Sequence, residues 1–171
     1  KKRCSQRQGG THRSLKTTGV GKPMNWWETQ PNRLLTEQKI ISQKFPQFKL
    51  GQAAEDKKIN GMSVVKEGQK YWIGDLRTIS GNLYTVLIVY PDHYPGREIK
   101  SYIIKPTLPA SNHMYGDGHL CLYSNDHGGR GQGYGKGMTA ASYIAWTAAW
   151  LHAYEISTKT GQWPDNNFFD R

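Results

Sequence analysis

The run from Leu83 to Tyr90 constrains the fold more than any other part of the sequence. Its residues are almost all β-branched, aromatic or aliphatic, which is typical of a β-strand. Gly81 and Asn82 predict a turn before it, and Pro91 ends it. Further strand candidates lie nearby, at Met62–Val65, Lys70–Ile79 and Glu98–Ile104. Because these segments follow one another through short loops, the sequence predicts an antiparallel β-meander.

Helical spacing of apolar residues flanks the meander on both sides. The first predicted helix begins at Pro31 or Asn32 and ends at Phe45. The second begins near Thr139, a candidate N-cap, and runs to about Ser157. One stripe of this helix is aromatic and aliphatic, and we expect it to form core against the sheet, with a binding face as the alternative: Tyr143, Ile144, Trp146, Thr147, Trp150, Leu151 and Tyr154. The order of helix, antiparallel strands and helix predicts an α+β fold.

The net charge of +10 is concentrated at one end of the chain. Residues 1–22 hold seven basic and no acidic residues, which leaves 16 basic and 13 acidic residues over 23–171. The sequence therefore predicts a flexible basic tail over 1–22 and a folded domain over 23–171. The tail either contacts nucleic acid or an acidic partner, or is only a solvated extension.

Composition also limits where the chain works and what it holds. No run approaches the roughly 20 apolar residues of a bilayer-spanning helix, and no signal-peptide pattern is present, so we expect a cytoplasmic protein without a membrane partner. The two cysteines, Cys4 and Cys121, do not form a disulfide framework. Without a Cys-x-x-Cys pair, no zinc site is expected, and no cofactor is predicted.

Cys121 is the candidate for covalent chemistry. It lies just past a glycine turn, between Leu120 and Leu122, and it is the only cysteine in the predicted domain. A thiolate is a strong nucleophile even when it is the minority species. The alternative is an inert, buried thiol.

Two histidines upstream of Cys121 are candidate catalytic residues. His113 can stabilise an oxyanion or accept a proton from an amine, or it can simply hold the turn. His119 would share a face with Cys121 on an extended segment. Asp126 can position an incoming lysine, or it is a solvated loop residue; Asp117 is a turn former before Gly118.

These motifs, taken in order, resemble those of the ubiquitin-conjugating enzymes over residues 32–164. The matching segments are Trp72, Tyr84-x-Val-x-Ile, Tyr90-Pro91-x-x-Tyr94-Pro95, Ile99 to Ile104, and Gly118-His119-Leu120-Cys121-Leu122. The resemblance implies that family's fold, with Cys121 as the thioester-forming residue. The eukaryotic His-Pro-Asn motif is missing, and His113 stands where its asparagine would be. The group that stabilises the oxyanion is therefore open.

The resemblance extends to the bacterial members of this superfamily. They share His113, Tyr115, Gly118 to Tyr123, Tyr143 to Glu155 and Thr160-Gly161-Gln162-Trp163. Such proteins occur in operons of the cyclic-oligonucleotide-based antiphage signalling system, CBASS. The resemblance implies a thioester with the C-terminus of a cGAS-like cyclic-oligonucleotide synthase, an adenylating partner to charge it, and amide formation on a target lysine. It makes Tyr115 a candidate for positioning the substrate.

Two other functions are compatible with the same residues. A protein of this fold can be a binding module without catalysis, although the retained Cys121 argues against that. A Cys-His hydrolase that cuts peptide or isopeptide bonds would need a base and an orienting group, which His113 with Asp117 or Asp126 can nominally supply.

Overall fold

The computed structural model describes residues 24–59, 61–123 and 137–164, so the predicted tail over 1–22 lies outside the described residues. The fold is α+β, with an antiparallel sheet and flanking helices, as predicted. In chain order the elements are α1 Trp26–Thr29, α2 Pro31–Lys44, β1 Lys49–Gln52, β2 Lys57–Ile59, β3 Met62–Val65, β4 Lys70–Arg77, β5 Leu83–Val89, β6 Lys100–Lys105 and α3 Ala140–Thr160.

The central sheet has the order β1-β4-β5-β6, and every neighbouring pair is antiparallel, which confirms the predicted meander for β4, β5 and β6. The predicted place of Met62–Val65 in that meander was wrong, because β3 pairs with β2 in a separate hairpin and β1 is the strand beside β4. The predicted strands were wrong by two residues at two ends and by one residue at the ends of β5 and β6. β4 stops at Arg77 because the turn over 78–82 begins there, closed by the amide of Thr78 donating to the Asn82 carbonyl oxygen. β6 begins at Lys100, whose partner Val89 is the last residue of β5.

The apolar run of β5 is explained by burial on both faces of the sheet. Val86 and Ile88 belong to the main core, which includes Ile144 and Leu151 of α3. Leu87 and Val89 point the other way and pack with the β2–β3 hairpin in a second cluster that contains Val65. With both faces covered, the strand has no polar side to alternate with.

The two long helices match their predictions except at their ends. α2 begins at Pro31 and its C-cap is Phe45. α3 runs three residues beyond Ser157 and stops at Gly161, whose φ of 75° is the left-handed cap that glycine adopts without strain. The predicted aromatic stripe is core: five of its seven residues are buried, and Trp146 and Tyr154 are partly buried. In the part of the chain that the structure describes, no helix is both long and apolar enough to cross a bilayer.

The start of α3 is fixed by a residue of α2 rather than by its own N-cap. Thr139 occupies the cap position, but its side chain makes no capping hydrogen bond. Instead the amide of Ala140 donates to the buried carboxylate of Glu37, at 2.8 Å. The hydroxyl of Tyr94, from the Tyr-Pro turn, donates to the other oxygen of Glu37, and Arg33 donates to the Tyr94 oxygen, at 2.9 Å. This network ties α2, the Tyr-Pro turn and the start of α3 together.

Candidate active site

Cys121 lies on one arm of a short antiparallel hairpin. Its amide donates to the carbonyl oxygen of His113, at 3.0 Å, and the amide of Tyr115 donates to the carbonyl oxygen of His119, at 2.9 Å. This register sets His113 opposite Cys121 and Tyr115 opposite His119. Side chains alternate along each arm, so these four residues share one face. Residues that face each other in such a pair have Cβ atoms about 5 Å apart. In this register His119 and Cys121 share a face, and the hairpin adds His113 and Tyr115 to it.

A three-residue loop, Gly116 to Gly118, joins the two arms. The amide of Gly118 donates to the carbonyl oxygen of Tyr115, at 2.9 Å, and its φ is 83°. A turn followed by one left-handed residue is a common three-residue hairpin connection, and glycine takes that conformation without strain. Gly118 therefore sets the register that aligns His113 with Cys121.

The sulfur of Cys121 lies against two tyrosines. Sγ is 3.8 Å from the hydroxyl oxygen of Tyr115 and 3.8 Å from the carbonyl oxygen of Tyr123. The residue is neither fully buried nor fully exposed, so a partner can approach it.

His113 is held at both its backbone and its ring. Its carbonyl oxygen accepts from the amide of Cys121 and from the indole nitrogen of Trp150, at 3.1 Å. Its ring stacks on Trp163, with 3.8 Å between centroids and 15° between planes. Burial lowers the pKa of His113 below its usual value, so the imidazole is neutral near pH 7. A neutral imidazole still carries one N–H donor.

His119 is almost fully buried and is oriented by Asp117. Nδ1 of His119 is hydrogen-bonded to one oxygen of Asp117, and Lys100 pairs with the other oxygen, at 2.6 Å. Burial alone would raise the pKa of Asp117, but the hydrogen bonds from Lys100 and His119 bring it down to about 2. An ionised carboxylate only accepts, so the proton of His119 is on Nδ1 and Nε2 is an acceptor. Burial lowers the pKa of His119, against the opposing effect of Asp117.

Tyr115 links this pair to the sulfur. Its ring stacks on His119, with 4.1 Å between centroids, and its hydroxyl reaches Cys121. Burial raises its pKa first, and the nearby charges of Glu98 and Asp117 raise it further. The phenol therefore stays protonated and can donate a hydrogen bond at the sulfur.

Three residues at the site were missed by the sequence analysis. Glu98 accepts from the hydroxyl of Tyr123, Trp150 anchors His113, and Trp163 covers its ring. Glu98 and Lys100 stand two apart in the strand that the sequence predicted from Glu98 to Ile104, and this spacing would place both side chains on one face of an extended segment, which was a usable signal. Trp150 and Trp163 lie in segments that carry the resemblance to the bacterial proteins, but no local pattern predicted their contacts with His113. Asp126 lies outside the described residues.

Among the described residues, no group of three or more His, Cys, Asp or Glu side chains is arranged to hold a metal ion.

Residues 37–169 match the family model described as E2-CBASS, the type II CBASS E2 protein. The matched range contains the Cys121 hairpin, Glu98 and the whole of α3. No curated protein matches this chain.

Proposed function

Because this chain belongs to the type II CBASS E2 family, we propose that it is a ubiquitin-conjugating-like acyltransferase with the fold of that enzyme class. Cys121 forms a thioester with the C-terminus of a protein partner, a cGAS-like cyclic-oligonucleotide synthase. The acyl group then passes to a lysine of a target protein. The reaction serves antiphage defence.

The observation that carries this proposal is the face of the Cys121 hairpin. The sulfur lies 3.8 Å from the Tyr115 hydroxyl, and His113 stands opposite it in the register. Acyl transfer through a thioester needs a nucleophile, a donor to the oxyanion and room for an amine. Cys121 supplies the first, and the neutral His113 ring and the Tyr115 phenol are two candidate donors. Loss of one oxyanion donor typically costs about 3 kcal/mol of barrier.

His119 acts in this scheme through Tyr115. Asp117 fixes the orientation of the imidazole, and the imidazole stacks on the phenol ring that reaches the sulfur. His119 is thus a positioning residue that keeps the Tyr115 hydroxyl at Cys121. Tyr115 and, on the segment after the cysteine, Asp126 position the substrate.

The energy of the thioester comes from outside the chain in this proposal. An adenylating partner, or exchange with an existing thioester, delivers the activated C-terminus to Cys121. The reaction takes place in a reducing cytoplasm, where the Cys121 sulfur is a thiol.

The test is electrophoresis of the full chain co-expressed with its operon neighbours, run with and without thiol reductant. A band of protein plus partner that thiol removes is the expected thioester, and Cys121→Ala is expected to abolish it. Cys121→Ser is expected to give a band that resists thiol, because an oxygen ester replaces the thioester. Cys4→Ser is the matched control and is expected to behave as the unchanged chain.

Normal conjugate levels from Cys121→Ala would contradict the enzymatic function. A partner that co-purifies without any thiol-sensitive band would favour the binding module instead. Thermal unfolding of each variant shows whether a lost band reflects lost chemistry or lost folding.

One observation favours a second candidate, the Cys-His hydrolase. The pair formed by Asp117 and the buried His119 resembles the orienting group and base of such enzymes. A hydrolase releases the free acid, whereas the conjugating enzyme gives an amide when lysine is present. Mass spectrometry of the product after addition of lysine therefore separates the two.

A further inference from the structure

Glu98 is a carboxylate beside the Cys121 hairpin, and the proposed acyl transfer gives it no role. It lies in the segment before β6 and is partly buried. One of its oxygens accepts from the hydroxyl of Tyr123. Burial raises its pKa above the usual value, Lys100 lowers it, and Asp117 raises it.

The Glu98 side chain lines a small pocket that shares its walls with the sulfur site. Tyr115 and Tyr123 both line the pocket, and both also contact Cys121, through a hydroxyl and a carbonyl oxygen at 3.8 Å each. The volume of this partly open pocket is about 10 Å³, which is about the space of one water or one ammonium group. His119 and Tyr143 are the other polar residues that line the pocket. The apolar lining residues are Ile99, Leu120 and Leu122.

The two carboxylates near the hairpin differ in what they can accept. Asp117 is already bound to Lys100 and His119, and its pKa of about 2 makes it a poor proton acceptor. Glu98 has only the Tyr123 phenol as a hydrogen-bond donor among the contacts described, and burial makes it the more basic of the two. The charged and titratable groups around Glu98 are Lys100, Tyr115, Asp117, His119, Tyr123 and Tyr143.

We propose that Glu98 binds the ammonium group of the acceptor lysine in this pocket and takes one of its protons. This inference rests on the proposed function and names the acceptor subsite of that reaction. The lysine ammonium gives one proton to the Glu98 carboxylate. The neutral amine then forms a C–N bond to the thioester carbonyl, and the C–S bond breaks. The second amine proton leaves with the Cys121 thiolate as a thiol, and Glu98 releases its proton to water.

The experiment isolates discharge from loading. The full chain carrying Cys4→Ser is reduced and loaded at Cys121 by exchange with a short fluorescent peptide made as a mercaptoethanesulfonate thioester. The peptide has the C-terminal sequence of the neighbouring synthase. Loaded protein is then mixed with free lysine, or with hydroxylamine, which is neutral near pH 7. Glu98→Gln is compared with Glu55→Gln, the same change at an exposed position.

We expect Glu98→Gln to load at the unchanged rate and to discharge onto lysine about 100-fold more slowly near pH 7. The deficit should shrink as the pH approaches roughly 10.4, where lysine loses its own proton. Discharge onto hydroxylamine should be unchanged, since that amine needs no base. Tyr123→Phe, which removes the hydrogen bond but keeps the carboxylate, should keep most of the lysine rate.

Equal slowing with lysine and hydroxylamine would overturn the inference, because it would mean that Glu98 only supports the hairpin. Discharge at the rate of Glu55→Gln would overturn it too. If the chain with an intact Glu98 formed no adduct at Cys121, the proposed function itself would fail, and the acceptor subsite with it. The loading step thus separates the two failures.

Discussion

Asp117 combines three tasks in one side chain. The sequence assigns it to a turn, but its carboxylate also pairs with Lys100 and orients His119. These contacts hold its pKa at about 2 in the folded chain, against a usual value of 3.8. A carboxyl whose pKa is lower in the folded state stabilises the fold fully above its unfolded pKa. That contribution is lost as the pH falls through the folded value.

We predict that Asp117→Asn lowers the free energy of unfolding at pH 7. The side chain is 32% exposed, so solvent screening limits the loss of unfolding free energy to about 1 kcal/mol. Thermal unfolding at a series of pH values should show that the variant is less stable than the unchanged chain by a constant amount above about pH 4. That difference in stability should shrink as the pH falls toward 2. Asp92→Asn, at an exposed position, is the control. A loss of stability that did not change with pH would mean that the asparagine side chain disturbs the turn, and that the lost charge is not the cause.

His113 gives a second prediction at this scale. His113→Ala should load at Cys121 normally and discharge onto lysine about 100-fold more slowly, since one oxyanion donor is lost. His113→Gln, which restores an N–H donor, should recover part of the rate. Single-turnover discharge measures both. Failure of His113→Ala to load would instead assign the ring to folding, through its stack on Trp163, or to partner docking.

Among the elements, α3 has the closest connection to the hairpin. The indole of Trp150 is 1% exposed, and its nitrogen donates to the His113 carbonyl oxygen that also accepts from Cys121. The Trp150 side chain therefore holds the His113 carbonyl group, to which the backbone of Cys121 is hydrogen-bonded. Small shifts of a reacting group are costly in rate.

Trp150→Phe should therefore affect both stability and chemistry. The lost hydrogen bond and the cavity should lower the free energy of unfolding by about 2 kcal/mol. Discharge onto lysine should slow about tenfold because the Cys121 arm is less well held. Urea unfolding and single-turnover discharge give the two values. Trp146→Phe, the same change at a partly buried position of the same helix, should cost less in both; equal effects would contradict the anchoring role.

The sequence predicted the elements whose signal is local. The composition of β5 predicted a strand. The periodicity of α2 and α3, together with flanking proline and glycine, predicted two helices. β1, with Gly51 in its four residues, is a strand only because it pairs with β4. β2 depends in the same way on β3, and α1 is a single turn. None of these three was predicted, because short segments take their structure from partners that the local sequence does not reveal.

The same distinction holds at the site. Cys121 as the candidate nucleophile and Gly118 as part of a turn were both predicted, because the two residues lie close together in the sequence. The contact of Glu98 with Tyr123 spans 25 residues, and that of Trp150 with His113 spans 37. Such pairs become visible only when the sheet brings β6 against the hairpin and α3 packs behind it. The buried Glu155 shows the same limit, since its hydrogen bonds with Thr78 and Tyr84 span 77 and 71 residues.

At the scale of the whole molecule, charge and core occupy different parts of the chain. Residues 1–22 carry seven of the ten net positive charges, whereas the described core residues all lie between Trp26 and Trp163. Deleting residues 1–22 should therefore leave the thermal midpoint and the discharge rate unchanged. Any affinity for single-stranded DNA should fall, with the salt dependence of binding reduced by up to about five in log–log slope. Titrations at several salt concentrations measure this. A truncated chain that still discharges but no longer accepts the synthase peptide would assign the tail to partner docking instead, since the chemistry and the fold would both be intact.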